Sequence, residues 1–128
     1  MDLYKKSFVG LIGFGTLAPA LALFAGFPDT VCEGLGRPYE SWMKSPEARF
    51  GLMLYTASDV ALGMMCGISL LSLGGGEKPS VSPSLALAAT AVHQAYYLAA
   101  SVPVFGFRKE HIASIIAGSL AAVLACFE

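Results

Sequence analysis

The sequence predicts an all-α integral membrane protein, a bundle of four transmembrane helices in one domain over residues 1–128, and three observations carry that prediction. Hydrophobic residues make up 55% of the 128 positions and charged residues only 13%, with mean hydropathy of +0.65, far more apolar than an average soluble domain. The charges are also segregated: every Lys and Arg, and every acid except Asp59, falls outside four apolar runs. Helix start and stop signals divide the chain at the same places.

The runs are Ser7 to Phe27, Phe50 to Leu73, Ser84 to Phe105 and Ile112 to Phe127, and a helix needs about 20 residues to cross roughly 30 Å of hydrocarbon. With their caps they predict spans over 7–27, 46–73, 83–105 and 111–127. The fourth is short, which draws His111 and Glu128 close to the headgroups. In span one, Lys5 and Lys6 precede a run ending in small residues, a pattern that also fits a cleavable leader. We read it as a retained span, bent at Pro19 where one backbone hydrogen bond is missing.

Residues 28–45 form the longest polar stretch. Tyr39, the sole tryptophan Trp42 and Met43 alternate there with Arg37, Glu40 and Lys44, which suits an interfacial loop at headgroup level. An ordinary loop with one aromatic anchor fits equally. Ser45-Pro46-Glu47 supplies an N-cap, a proline at the first helical position and an acid in the first turn, so span two starts near Pro46. Gly74-Gly75-Gly76 ends it and Ser82-Pro83 opens span three, making the two an antiparallel hairpin. Pro103 is expected to loosen the end of span three. Lys5, Lys6 and Lys78 on the side of the termini, against Arg37, Lys44, Arg49, Arg108 and Lys109 on the other, favour termini facing away from the compartment of insertion.

Small residues mark helix-packing positions: Gly63 and Gly67 in a G-x-x-x-G on span two, and Ala113, Ala117, Ala121 and Ala125 on span four. Such stripes let backbones approach where lipid is as apolar as the side chains. A net charge of -1 provides no field to grip a phosphate backbone, so nucleic acid is not an expected partner. Cys32, Cys66 and Cys126 form no C-x-x-C, no disulfide between them is expected, and with two histidines they offer no metal ligand set.

Asp59 and His93 are the residues suited to chemistry. An ionised Asp near a helix centre costs about 2.5–3.5 kcal/mol on insertion scales, so it must face the bundle, be protonated or find a partner. His93 falls within about 5 Å of the same depth at 1.5 Å per residue. Around them stand Tyr55, Thr56 and Ser58 on one helix and Thr90, Gln94, Tyr96 and Tyr97 on the other. Read functionally, Asp59, His93 and Tyr97 can shuttle a proton, hydrogen-bond a quinone carbonyl or act as general acid and base on a lipophilic substrate. Read structurally, the seam is interhelical glue, and that role accounts for the pairing in full. His93 as a haem ligand lacks a second axial ligand, and His111 reads as a capping or headgroup residue.

The stretch Ala57-Ser58-Asp59-Val60-Ala61-Leu62-Gly63 resembles the second-span motif of DoxX-like small four-helix membrane proteins, an Arg-Asp-Leu-x-Leu-Gly pattern, with Ser58 standing where that pattern has Arg. The resemblance covers span two and the four-helix layout. It implies a fold more than an activity, although some members are associated with quinone-linked redox systems.

Two functional readings follow. The first is a non-catalytic accessory subunit of a larger membrane complex, with lipids and other transmembrane subunits as partners. Its setting would be an organellar electron-transport assembly in the mitochondrial inner or thylakoid membrane. The second is a small membrane enzyme or a quinone- or lipid-binding protein working at the Asp59–His93 pair. A lipid-open pocket between spans two and three, lined by those residues with Tyr97, favours the second; a closed seam favours the first.

Overall fold

The computed structural model describes residues 2–24, 32, 39–71 and 80–127. These form, in chain order, α1 (Asp2–Phe24), α2 (Tyr39–Met43), α3 (Pro46–Leu71), α4 (Pro83–Phe105) and α5 (Lys109–Cys126), with no strand among the described residues. All but α2 are long and apolar enough to cross a membrane. The chain is therefore an all-α integral membrane protein with four spanning helices.

Local chemistry sets the helix ends. The Ala48 N–H donates to Ser45 Oγ at 3.0 Å ahead of α3, and the Leu85 N–H donates to Ser82 Oγ at 3.1 Å ahead of α4, each followed by a proline whose missing N–H has no helical partner to lose. α4 continues through Pro103 to Phe105 and stops at Gly106, where φ is 73° and ψ 173°, a region closed to residues with a Cβ. The Gly106 N–H returns to the Val102 carbonyl at 2.9 Å. Only residues 106–108 then separate α4 from α5. The expected Gly74–Gly76 turn lies outside the described residues, as does most of the 28–45 segment.

α1 starts before the apolar run, at Asp2, and takes Lys5 into the bundle. The Lys5 side chain is buried, and its Nζ donates to Ser84 Oγ at 2.9 Å.

Residue contacts fix the topology. Gly13 lies against Cys66 and Gly63 against Thr16 and Leu17, so α1 and α3 are antiparallel. Asp59 faces His93 and Tyr55 faces Tyr97; Gln94 faces Ser114 and Ser101 faces His111. The bundle therefore runs up-down-up-down, with the start of α1 and the end of α5 on one side and α2 on the other.

Packing is uneven. α1 lies tightly along α3 and α4 along α5, while α3 and α4 meet more lightly. Small residues explain the tight pairs. A Cβ added at Gly13 would stand 3.1 Å from Cys66 Cβ, and one added at Gly118 would stand 3.0 Å from Gln94 Cβ, so both glycines are points of close backbone approach. The apolar core cluster, Val9, Leu62, Cys66, Ala86, Leu87 and Ala121, lies in the half of the bundle that carries the termini. In the other half α3 and α4 face each other with Tyr55, Asp59, His93 and Tyr97, groups too large to close on. A groove opens there.

The predicted packing stripes divide accordingly. Gly63 is buried against α1, whereas a Cβ at Gly67 would meet nothing within 4 Å. On α5, Ala121 is fully buried, Ala117 half-buried and Ala113 exposed. Four-residue spacing advances about 40° per step around a helix of 3.6 residues per turn, so the stripe rotates off the interface.

Candidate functional site in the α3–α4 groove

Asp59 and His93 sit near the middles of α3 and α4, and the antiparallel pairing brings them to the same depth. Asp59 Oδ1 lies 3.4 Å from His93 Nε2. Ser58 Oγ lies 3.0 Å from the same nitrogen. Ser58 donates its own proton to the Tyr55 carbonyl at 2.7 Å, so toward His93 it can only accept. With Ser58 so engaged, a hydrogen on Nε2, directed at Ser58 and Asp59 together, satisfies all three groups and leaves Nδ1 as a lone pair. That Nδ1 is buried without a hydrogen-bond partner among the described residues.

Ser58, His93 and Asp59 have the composition of a nucleophilic triad but not its geometry. A triad puts the carboxylate on one imidazole nitrogen and the nucleophile on the other, with the serine proton available to the base. Here both oxygens crowd one nitrogen and the serine proton is engaged by the backbone. The arrangement holds a neutral polar group at mid-depth; it does not activate Ser58.

Tyr97 joins through Tyr55: the Tyr55 ring is 6.0 Å from His93 and 5.6 Å from Tyr97 between centroids. The remaining polar residues of the predicted seam go elsewhere. Thr56 and Thr90 are buried and donate to the carbonyls of Leu52 and Ala86, each at 2.8 Å. Gln94 turns to α5 and accepts from Ser114. Tyr96 is exposed. The seam is thus two seams, one facing α3 and one facing α5.

The second was largely hidden from sequence reasoning. His111 does cap, as expected, but from the interior: it is 2% exposed, its Nδ1 accepts the Arg108 N–H at 2.8 Å, and its Nε2 lies 2.8 Å from Ser101 Oγ. Ser101 gave only a weak signal, its place two turns beyond His93 on the Tyr97 stripe.

Between α3 and α4 lies a groove of about 930 Å³, lined by Tyr55, Ser58, His93, Tyr97 and Ser101 among otherwise apolar side chains, with Trp42 of α2 at its mouth. Trp42 packs edge-on to Phe105 at 5.9 Å. Val92 and Tyr96 on the rim are 70% and 76% exposed, so the groove opens sideways into lipid. It follows α4 from Leu85 to Phe105, about 30 Å at 1.5 Å per residue.

No three His, Cys, Asp or Glu residues converge on a metal-sized site among the described residues. Comparison of the chain with family models, with curated proteins and with solved structures finds no match, so its function is argued from the groove itself.

Proposed function

We propose that this protein binds a neutral lipophilic molecule carrying one oxygen function, of the quinone or long-chain alcohol type, in the α3–α4 groove. The observation that carries the reading is the coincidence of a mostly apolar groove, open at its side, with a polar cluster at mid-depth. Ser58 lies 12 residues into α3, about 18 Å from its end at 1.5 Å per residue. A charged headgroup drawn that far into hydrocarbon loses its hydration at a cost of several kcal/mol. A hydroxyl or carbonyl crosses far more cheaply and finds the Tyr55 and Tyr97 hydroxyls and the Ser58–His93 edge within reach.

The sole tryptophan supplies the test. Trp42 lines the groove, so a brominated long-chain alcohol or a short-tailed quinone should quench its emission saturably in nanodiscs. His93→Phe should weaken that binding about tenfold while the protein stays folded, the scale of one polar contact of about 1.4 kcal/mol. Quenching that never saturates, or is unchanged in His93→Phe, would refute the reading.

A second reading, an accessory subunit of an organellar electron-transport complex, draws on the outward face of α5. There exposed Ala113 and half-buried Ala117 offer a close-approach surface to another helix. Native mass spectrometry after gentle extraction separates the two: a monomer or small homo-oligomer carrying a lipophile supports the first, a hetero-complex the second.

A further inference from the structure

We propose that His111 is an acid-operated latch on the wall of the groove: protonating it undoes the start of α5 and lowers the groove's affinity for its ligand. The proposal rests on the lipophile-binding reading for its consequence, but not for its mechanism.

His111 is the third residue of α5, next to the membrane surface, and both ring nitrogens are committed. Nδ1 accepts the Arg108 N–H, so Nε2 carries the hydrogen and donates it to Ser101 Oγ. The ring is held between Tyr97, 5.6 Å away at 32°, and Phe107, 5.8 Å away at 33°. Tyr97 and Ser101 both line the groove. One imidazole thus ties the turn before α5 to the polar half of the groove wall.

The hydrogen bond that Nδ1 accepts from the Arg108 N–H can form only with the neutral ring. A proton on Nδ1 would point at the Arg108 N–H, two donors facing each other, and it would place a positive charge at a helix N-terminus, where the macrodipole is also positive. The ring must then swing out, releasing Ser101 and its contact with Tyr97. The titratable or charged groups around it are Tyr97 from α4 and, on its own helix, Arg108 and Glu110, whose Nε and Oε2 are 3.5 Å apart. From α3, Tyr55 and Asp59 stand beyond Tyr97. Glu110 Oε2, though 3.5 Å from Arg108 Nε, has no hydrogen-bond partner among the described residues, so an imidazolium that leaves Nδ1's place against the Arg108 N–H has an acceptor to turn to. Histidine is the side chain that ordinarily changes charge between about pH 5 and pH 8.

The discriminating variant is His111→Gln. A glutamine at this position reaches back to the N-cap N–H as the histidine does, and it does not titrate. Two measurements are made on the full chain in nanodiscs at pH 8 and pH 5. The first is amide hydrogen exchange in the first turn of α5, which needs no ligand. The second is Trp42 quenching by a brominated long-chain alcohol. In the wild type, exchange should rise beyond its intrinsic pH dependence and affinity should fall about tenfold at pH 5; in His111→Gln the exchange should not rise, and affinity should fall less, only by what His93 in the groove itself contributes. Equal pH dependence in the two proteins, or none in the wild type, overturns the latch. Acid-dependent opening without saturable quenching at either pH overturns the binding reading and leaves the latch standing. If the Gln variant does not accumulate, Ser101→Ala replaces it: acid should still open α5 but weaken the ligand less, and an undiminished ligand effect overturns the coupling to the groove.

Discussion

Gly63 and Gly67 look equivalent in the sequence, and the structure predicts that alanine at the two positions has opposite effects. A Cβ at Gly63 would lie 2.8 Å from Leu17 Cδ2 and 2.9 Å from Thr16 Oγ1, inside the roughly 3.5–4.0 Å at which packed carbons rest. Neither neighbour yields easily. The Thr16 hydroxyl is hydrogen-bonded to the carbonyls of Ile12 and Gly13 at 3.0 and 3.2 Å, and Leu17 presents its branch point, not a flexible tip. Overpacking of this kind costs about 1–3 kcal/mol, and the better helix propensity of alanine returns at most about 1. Contacts this far inside the packing distance put the cost in the upper part of that range, about 2–3 kcal/mol, so Gly63→Ala should lose about 1–2 kcal/mol net. At Gly67 the space is open, so only the propensity gain of up to about 1 kcal/mol remains. The assay is reversible unfolding of the purified protein in mixed micelles of increasing SDS fraction, followed by circular dichroism. If Gly67→Ala lost as much stability as Gly63→Ala, or if Gly63→Ala were neutral, the placing of Gly63, and not Gly67, in the α1–α3 contact would be wrong.

Two further substitutions probe how the helices are delimited. Gly106→Ala forces a Cβ into backbone at φ 73° and should cost about 1–3 kcal/mol in the same unfolding assay; a neutral result would mean that the α4–α5 turn relaxes freely. Ser82→Ala removes the acceptor for the Leu85 N–H and should cost about 1 kcal/mol, read as faster hydrogen exchange in the first turn of α4 with α5 unaffected. Uniform acceleration in both helices would show that the cap acts globally, contrary to this reading.

The membrane helices were legible because lipid imposes a one-dimensional rule on sequence: long uncharged runs with proline and serine at their entrances. Ser45, Pro46, Ser82 and Pro83 act locally, through atoms two or three residues away, and local chemistry survives the passage from sequence to fold. Asp59 and His93 were also legible as a pair, since two polar residues at equal depth on neighbouring antiparallel spans can hardly avoid each other in hydrocarbon. What stayed hidden depended on rotation about the helix axis. Gly118 looked unremarkable yet sits against Gln94, while Ala113, in register with Ala121, faces outward. Membrane helices that are apolar on all sides carry little amphipathic signal to fix that rotation. Lys5 lies outside the apolar run by its charge, yet its long stem lets the amine reach Ser84 from within the helix, a contact that also depends on that rotation.

The candidate site and the uneven packing have one cause. Glycines at Gly13, Gly63 and Gly118 let α1 close on α3 and α4 close on α5, whereas Gly51, on the α3 side of the groove, has nothing within 4 Å of where its Cβ would stand. Tyr55, Asp59, His93 and Tyr97 occupy the seam between α3 and α4 instead. Interhelical hydrogen bonds in membranes average about 0.6 kcal/mol, so the Asp59–His93 contact adds little to stability; leaving Asp59 ionised and unpaired would cost about 2.5–3.5 kcal/mol. A bundle selected for stability alone would place leucine at Asp59 and glycine or alanine at His93, removing the liability and the gap together. The chain instead keeps an expensive carboxylate at mid-depth and props the helices apart around it. That combination is the physical ground for the lipophile-binding proposal, which the His93→Phe quenching experiment tests.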